Sequence, residues 1–157
     1  MKKNLVTIYT DGACSPNPGT GGWAAVLISP AHDNYRKEIF GAEPQTTNNR
    51  MELSAVINAL QTLKFQCTVT LYTDSKYIQQ AFNQGWLKKW QKNGWIGAGR
   101  KPVANKDLWE QLISLSNHHE ISWLWVKGHA DNIENQRCDF LAVQARQELA
   151  AEMASKT

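Results

Sequence analysis

Four carboxylates in this chain stand where chemistry could be done: Asp11, Glu52, Asp74 and Asp139. Asp11 and Asp74 each close a β-branched, aromatic run, in Tyr9-Thr10-Asp11-Gly12 and Tyr72-Thr73-Asp74-Ser75. Glu52 opens a stretch of helical apolar spacing, and Asp139 lies early in the last such stretch. Open α/β sheets take their ligands outside the carboxyl ends of the strands, where helix starts also gather. Four carboxylates brought to one sheet edge would repel unless cations neutralised them. Hard cations with oxygen ligands, Mg²⁺ or Mn²⁺, fit such a set, and no Cys/His set competes. Each acid also has a plainer reading. Asp11-Gly12 could make a turn, Asp74 could cap a helix, Asn49-x-x-Glu52 could be a capping box, and Asp139 could be a solvated helix charge.

The elements that must position these acids can be read from apolar periodicity. Leu5 to Thr10 reads as a buried strand, and Ser15 to Gly22 is turn chemistry throughout. Trp23–Ile28 and Tyr35–Ala42 read as two more strands, completing an antiparallel meander. The period then becomes helical from Arg50 to Lys64, with a strand following over Val69–Thr73. Short helices are expected over Lys76–Asn83 and Trp86–Gln91, then an irregular Asn93–Pro102 loop and a helix over Asp107–Ser116. A strand over Ile121–Val126 and a terminal helix from Glu134 to about Met153 complete the chain. This order predicts one mixed α/β sheet of five strands with helices packed on its faces.

The 157 residues suit one domain, and 42% hydrophobic against 20% charged residues exclude a disordered or membrane composition. Met1-Lys2-Lys3-Asn4 enters a strand pattern directly, with no apolar signal-peptide core. Cys14, Cys67 and Cys138 form no disulfide or zinc pattern, which points to a reducing cytoplasm. The charge is unevenly placed. Ser75 to Lys106 holds seven basic residues and no acid, leaving ten basic against fourteen acidic residues elsewhere. Trp86, Trp90 and Trp95 lie inside that cationic arm, and basic residues interleaved with aromatics suit a polyanion with stackable bases.

Five segments in order carry a resemblance to the type 1 ribonuclease H family, running from about Leu5 to Ala150. They are Tyr9-Thr10-Asp11-Gly12-Ala13-Cys14, Asn17-Pro18-Gly19 with Gly21-Gly22-Trp23, Thr46-Thr47-Asn48-Asn49-Arg50-Met51-Glu52-Leu53, Tyr72-Thr73-Asp74-Ser75, and Trp125-Val126-Lys127-Gly128-His129-Ala130 with Asn135-Gln136-Arg137-Cys138-Asp139. The resemblance implies a ribonuclease H-like fold, three antiparallel strands then two parallel ones flanked by helices, in one catalytic domain over residues 1–157. It implies that Asp11, Glu52, Asp74 and Asp139 bind two Mg²⁺, with Mn²⁺ as a substitute, and cleave the RNA strand of an RNA–DNA hybrid to 5′-phosphate and 3′-hydroxyl ends. His129 matches the family's loop histidine, a proton shuttle or aid to product release.

Substrate contacts are implied for the Cys14–Asn17 loop and for Asn48 and Asn49, which would read RNA 2′-hydroxyls. Thr47 and Arg50 match phosphate contacts, with Arg50 alternatively a solvated charge. Residues 84–105 match the bacterial basic protrusion, in which Trp86, Lys88, Lys89 and Lys92 would line a channel for the DNA strand, while Trp90 and Trp109 are expected in the core. Lys76 stands where many members carry Gln, which alters the contact expected there. Gly19, Gly21 and Gly22 would allow close backbone approach or simply form turns. His32, His118 and His119 match nothing and are expected at the surface. No nucleophilic cysteine is expected, the partner implied is the RNA–DNA hybrid, no membrane is expected, and a monomer is the default for a sequence with no long apolar patch or heptad seam.

Three other functions compete. A transposase-, integrase- or resolvase-like nuclease on the same sheet lacks a use for Asn48-Asn49 and the basic arm. A binder without catalysis would not need all four acids. A glycosidase with two carboxylates explains neither the arm nor the other acids.

Overall fold

Branched and flat side chains pack well on a pleated surface, and Val6, Ile8 and Tyr9 place β1 (Leu5–Cys14) in the middle of the sheet. The computed structural model describes residues 4–126 and 132–156. The other strands are β2 (Gly19–Ser29), β3 (Tyr35–Thr46), β4 (Thr68–Thr73) and β5 (Glu120–Trp125), in the order β3-β2-β1-β4-β5. Pairing is antiparallel across β3-β2-β1 and parallel across β1-β4-β5. The mixed five-stranded sheet expected from the sequence is the one observed.

The helices are α1 (Asn48–Thr62), α2 (Lys76–Asn83), α3 (Trp86–Asn93), α4 (Lys106–His118) and α5 (Ile133–Ser155). Successive strand residues face opposite sides, so Ala25 and Ala24 belong to different cores. Ala25 lies with Ile8, Leu53, Val56, Leu60, Leu71 and Trp109 under α1 and α4. Ala24 lies with Val26, Cys138, Leu141 and Ala142 under α5. Trp109 is fully buried, and Trp90 is half-buried against the same core.

Parallel pairing between β1 and β4 ends at Tyr9 and Tyr72, whose rings stack 4.8 Å apart. Asp11 and Asp74 lie two residues further on, where the two strands part. β1 continues against β2 alone, as far as the Cys14–Gly21 pair. The parting leaves a notch beside Asp11, open to groups from other elements.

Two expectations are corrected. The turn read over Ser15–Gly22 is cut short, because Gly19–Gly22 begin β2. These glycines serve packing: a Cβ on Gly21 would stand 2.7 Å from Met51 Cγ, and one on Gly22 would strike the Ala142 carbonyl. His119 is buried, not a surface residue, while His32 and His118 are exposed. Its Nδ1 accepts the Cys67 N–H at 3.0 Å, joining the starts of β4 and β5, and burial, then the neighbouring His118, pulls its pKa down.

Candidate active site

Asp11 is only 3% exposed, and its Oδ1 accepts the Gly12 N–H at 2.9 Å. Glu52 reaches the same place from α1, because Gly12 lets that helix rest against the end of β1. A Cβ on Gly12 would meet the Glu52 nitrogen and the Met51 carbonyl carbon, each at 2.6 Å. Asp74 follows the last residue of β4, and Ser75 rather than Asp74 caps α2, its Oγ accepting the Ile78 N–H at 3.2 Å. Asp74 is thereby left to the notch. One carboxylate oxygen from each of Asp11, Glu52 and Asp74 lies within 4.8 Å of the others. Asp139, in the second turn of α5, approaches Asp11 closely enough to hydrogen-bond to it.

The alternative reading of Asn49-x-x-Glu52 as a capping box does not hold, since Thr47 is the cap. Its Oγ1 accepts the Arg50 N–H at 3.2 Å, which places Glu52 two residues deeper in the helix, in its second turn. Glu52 Oε2 is buried with no hydrogen-bond partner among the described residues. Leaving such an atom unpaired costs about 1–3 kcal/mol.

Electrostatics sharpen the picture. Burial pushes the Asp11 carboxyl up to about 8, and the charges of Asp74 and Asp139 push the same way against the Gly12 N–H. Glu52 is likewise held well above the usual carboxylate range, by burial first and then by Asp11 and Asp74. Such a set keeps protons at neutral pH unless a cation replaces them. An all-oxygen donor set with an unpaired buried oxygen fits Mg²⁺ or Mn²⁺. Two of the three thiols are buried. Burial raises both Cys67 and Cys138, and the charge of Asp11 adds to the effect at Cys138.

The candidate substrate residues fall into two groups. The first surrounds the start of α1. Asn17 Oδ1 accepts the Asn48 N–H at 3.1 Å, so the β1–β2 loop and the helix N-terminus form one surface. Cys14 Sγ points at the carbonyls of Pro16, Gly19 and Thr46, at 3.2, 3.5 and 3.5 Å, and ties that loop together. Asn48 and Asn49 are exposed, as is Lys76 at the start of α2. Arg50 is not a solvated charge: its guanidinium forks onto Asp107 at 3.0 and 2.8 Å and reaches Asn105 at 3.2 Å. The second group lies on α3, where Lys88, Lys89 and Lys92 are exposed and Trp86 is half-buried. Trp90 is central there, with Trp86, Trp95 and Trp109 at 5.9, 6.0 and 5.9 Å. Trp86, Lys89 and Lys101 rim a cavity of about 530 Å³. His129 lies outside the described residues.

Two groups near the site escaped sequence reading. Tyr77 Oη accepts from Asn105 Nδ2 at 3.1 Å and from Trp109 Nε1 at 2.9 Å, joining α2 to α4. Asn135 has a side chain that is fully buried. It stood inside a quoted motif, but an Asn in a helix's first turn reads as surface.

The RNase H family model matches residues 3–147. This chain belongs to the ribonuclease H family. A Moorella thermoacetica protein named Ribonuclease H is 58% identical over 137 residues, 87% of this chain and 88% of that one. A Ribonuclease H of Francisella tularensis subsp. novicida is 54% identical over 148 residues, 94% and 95% of the two chains. Among solved structures, LC9-RNase H1, described as a type 1 RNase H with the type 2 active-site motif, superposes with a TM-score of 0.82 at 32% identity, covering 94% of this chain and 74% of that chain. LC11-RNase H1, solved with an RNA/DNA hybrid, shares the fold at TM-score 0.69 and 21% identity, over 92% and 99%. The chain is thus a ribonuclease H-family enzyme.

Proposed function

We propose that this protein is an endonuclease that hydrolyses the RNA strand of RNA–DNA hybrids with two divalent cations, Mg²⁺ or in its place Mn²⁺, leaving 5′-phosphate and 3′-hydroxyl ends. The observation that carries the reading is the meeting of Asp11, Glu52 and Asp74 oxygens within 4.8 Å, with Asp139 beside them. These four acids would hold the metals, which when bound supply Lewis-acid activation of water and charge neutralisation at the leaving oxygen. The chain's own residues hold and orient the substrate. Asn48, Asn49 and the Cys14–Asn17 loop present short amides and backbone N–H groups suited to a 2′-hydroxyl, the group that separates RNA from DNA. Thr47 and Arg50 at the start of α1 serve phosphates, and Lys76 at the start of α2 meets the RNA strand where many members carry Gln. Trp86, Lys88, Lys89 and Lys92 hold the DNA strand on a basic protrusion over about residues 84–105. His129 moves protons at the leaving group or helps release product.

One domain over residues 1–157 does this work, as a monomer in the cytoplasm. No helix among the described residues is long and apolar enough to cross a membrane. The test is to incubate the protein with labelled RNA–DNA hybrid, double-stranded RNA and duplex DNA, each with Mg²⁺, Mn²⁺ or EDTA. Cleavage confined to the hybrid's RNA strand and abolished by EDTA is expected. Cleavage of duplex DNA instead would make this a DNA nuclease on the same sheet.

A further inference from the structure

Asn135 is 0% exposed, and neither Nδ2 nor Oδ1 of its carboxamide has a hydrogen-bond partner among the described residues. Burying both a donor and an acceptor without partners is unfavourable, so the amide calls for a partner able to accept from one end and donate to the other. Its place in the fold says which. Asn135 and Asp139 are one helical turn apart on α5, hence on the same side of the helix. Cys138, between them, sits on the sheet with Sγ 3.3 Å from the Tyr9 carbonyl. Arg137 points the other way, toward Glu38 on β3. The Asn135–Asp139 side of α5 therefore lies toward the end of β1 that carries Asp11, which Asp139 reaches. Helical side chains lean toward the helix N-terminus, so Asp139 leans over the turn that carries Asn135.

We infer that Asn135 is a positioning residue of the acidic site: its carboxamide takes up the hydration shell of a divalent cation held by Asp139 and Asp11. The inference rests on the metal-site reading above and extends it to a neutral group. A metal-bound water donates to Oδ1, while Nδ2 donates to an acceptor of the same shell. Outer-shell partners of this kind are worth about 10–100-fold in metal affinity or activity.

The test compares native protein with Asn135→Leu, close in size but apolar, and with Asn135→Asp, which keeps an acceptor oxygen. Mn²⁺ affinity is measured by calorimetry without nucleic acid, Tm is measured in EDTA, and kcat and KM are measured on a hybrid. Asn135→Leu is expected to bind Mn²⁺ about 10-fold or more weakly, with a lower kcat, an unchanged hybrid KM and a metal-free Tm no lower than native. Asn135→Asp should bind Mn²⁺ at least as tightly as native. If Asn135→Leu binds Mn²⁺ as native does, or Asn135→Asp binds as weakly as Asn135→Leu, the inference is overturned. A fall in Tm with unchanged Mn²⁺ affinity overturns it too, since the amide would then serve the fold alone. Should Asn135→Leu not fold, Asn135→Ala is read by the same criteria. Failure of the native protein to bind Mn²⁺ would instead remove the metal-site reading itself.

Discussion

Gly12 and Glu52 are held in backbone contact: a methyl group on Gly12 would stand 2.6 Å from the Glu52 nitrogen. This closeness seats α1 on the end of β1 and brings the Glu52 carboxylate beside Asp11. Gly12→Ala should therefore push the first turns of α1 outward. Overpacking of this sort costs about 1–3 kcal/mol, which in a chain of this size lowers Tm by roughly 2–4 °C per kcal/mol. Activity should fall more steeply than stability, because the carboxylate set is spread. A calorimetric scan paired with a cleavage assay checks this, and native values in both would show that α1 has room to spare.

Asp11→Asn should abolish cleavage yet raise Tm in EDTA. The Asp11 carboxyl, raised to about 8 in the folded protein, ionises near 3.9 when unfolded. Its folded pKa lies above its unfolded one, so its contribution to stability is full below about pH 4 and is lost as pH rises through about 8. Native Tm in EDTA should thus decline between about pH 4 and 8, and the decline should be shallower in Asp11→Asn. Saturating Mn²⁺ should reverse the native trend. Parallel Tm curves for the two proteins would contradict the assignment.

Lys88, Lys89 and Lys92 are exposed on α3, far in sequence from the acids, and should supply affinity rather than chemistry. Each phosphate contact contributes about 0.9 to the slope of log K against log salt for duplex DNA. Replacing all three by Ala should raise hybrid KM most at low salt and flatten its salt dependence by up to about two to three units. The kcat at saturating hybrid should stay within a few-fold. An unchanged slope would make this helix face merely solvated.

Arg100 is an exposed residue held at φ 61°, in the left-handed region where a side chain is strained by about 1–2 kcal/mol. Arg100→Gly relieves that strain at the expense of backbone entropy. A gain of about 1 kcal/mol, roughly 2–4 °C in Tm, is expected. Thermal scans of the two proteins decide it, and a lower Tm in the variant would mean that the arginine side chain holds the loop.

Asp11 and Asp74 were legible because Tyr-Thr-Asp runs announce a strand; the run marks the end of β4 at Thr73, whereas β1 carries on through Asp11 to Cys14 because β2 goes on pairing with it. Glu52 was legible in position but not in environment. Thr46, Thr47, Asn48 and Asn49 are all capping types, and local preference cannot choose among them. The choice falls to the Asn17 side chain, which satisfies the Asn48 N–H from outside and lets the helix start there with Thr47 as cap. The Arg50–Asp107 fork joins residues 57 apart in sequence, and no local pattern marks such a pair. His119 was misread because its role is set by the register of β4 against β5. The glycines of β2 read as turn residues because local chemistry is blind to the helix that will lie across them.

Trp90 and the three indoles gathered around it stand at about van der Waals separation, from half-buried Trp86 at the start of α3 down to the core residue Trp109. Excitation energy passes among rings so closely spaced faster than it is emitted. Light absorbed at buried Trp109 can therefore leave as fluorescence from Trp86, at the rim of the cavity that Lys89 and Lys101 also line. The protein carries its own optical probe: a polyanion settling on that rim would change the emission of the whole group, and its arrival could be timed in a stopped-flow instrument with no dye attached.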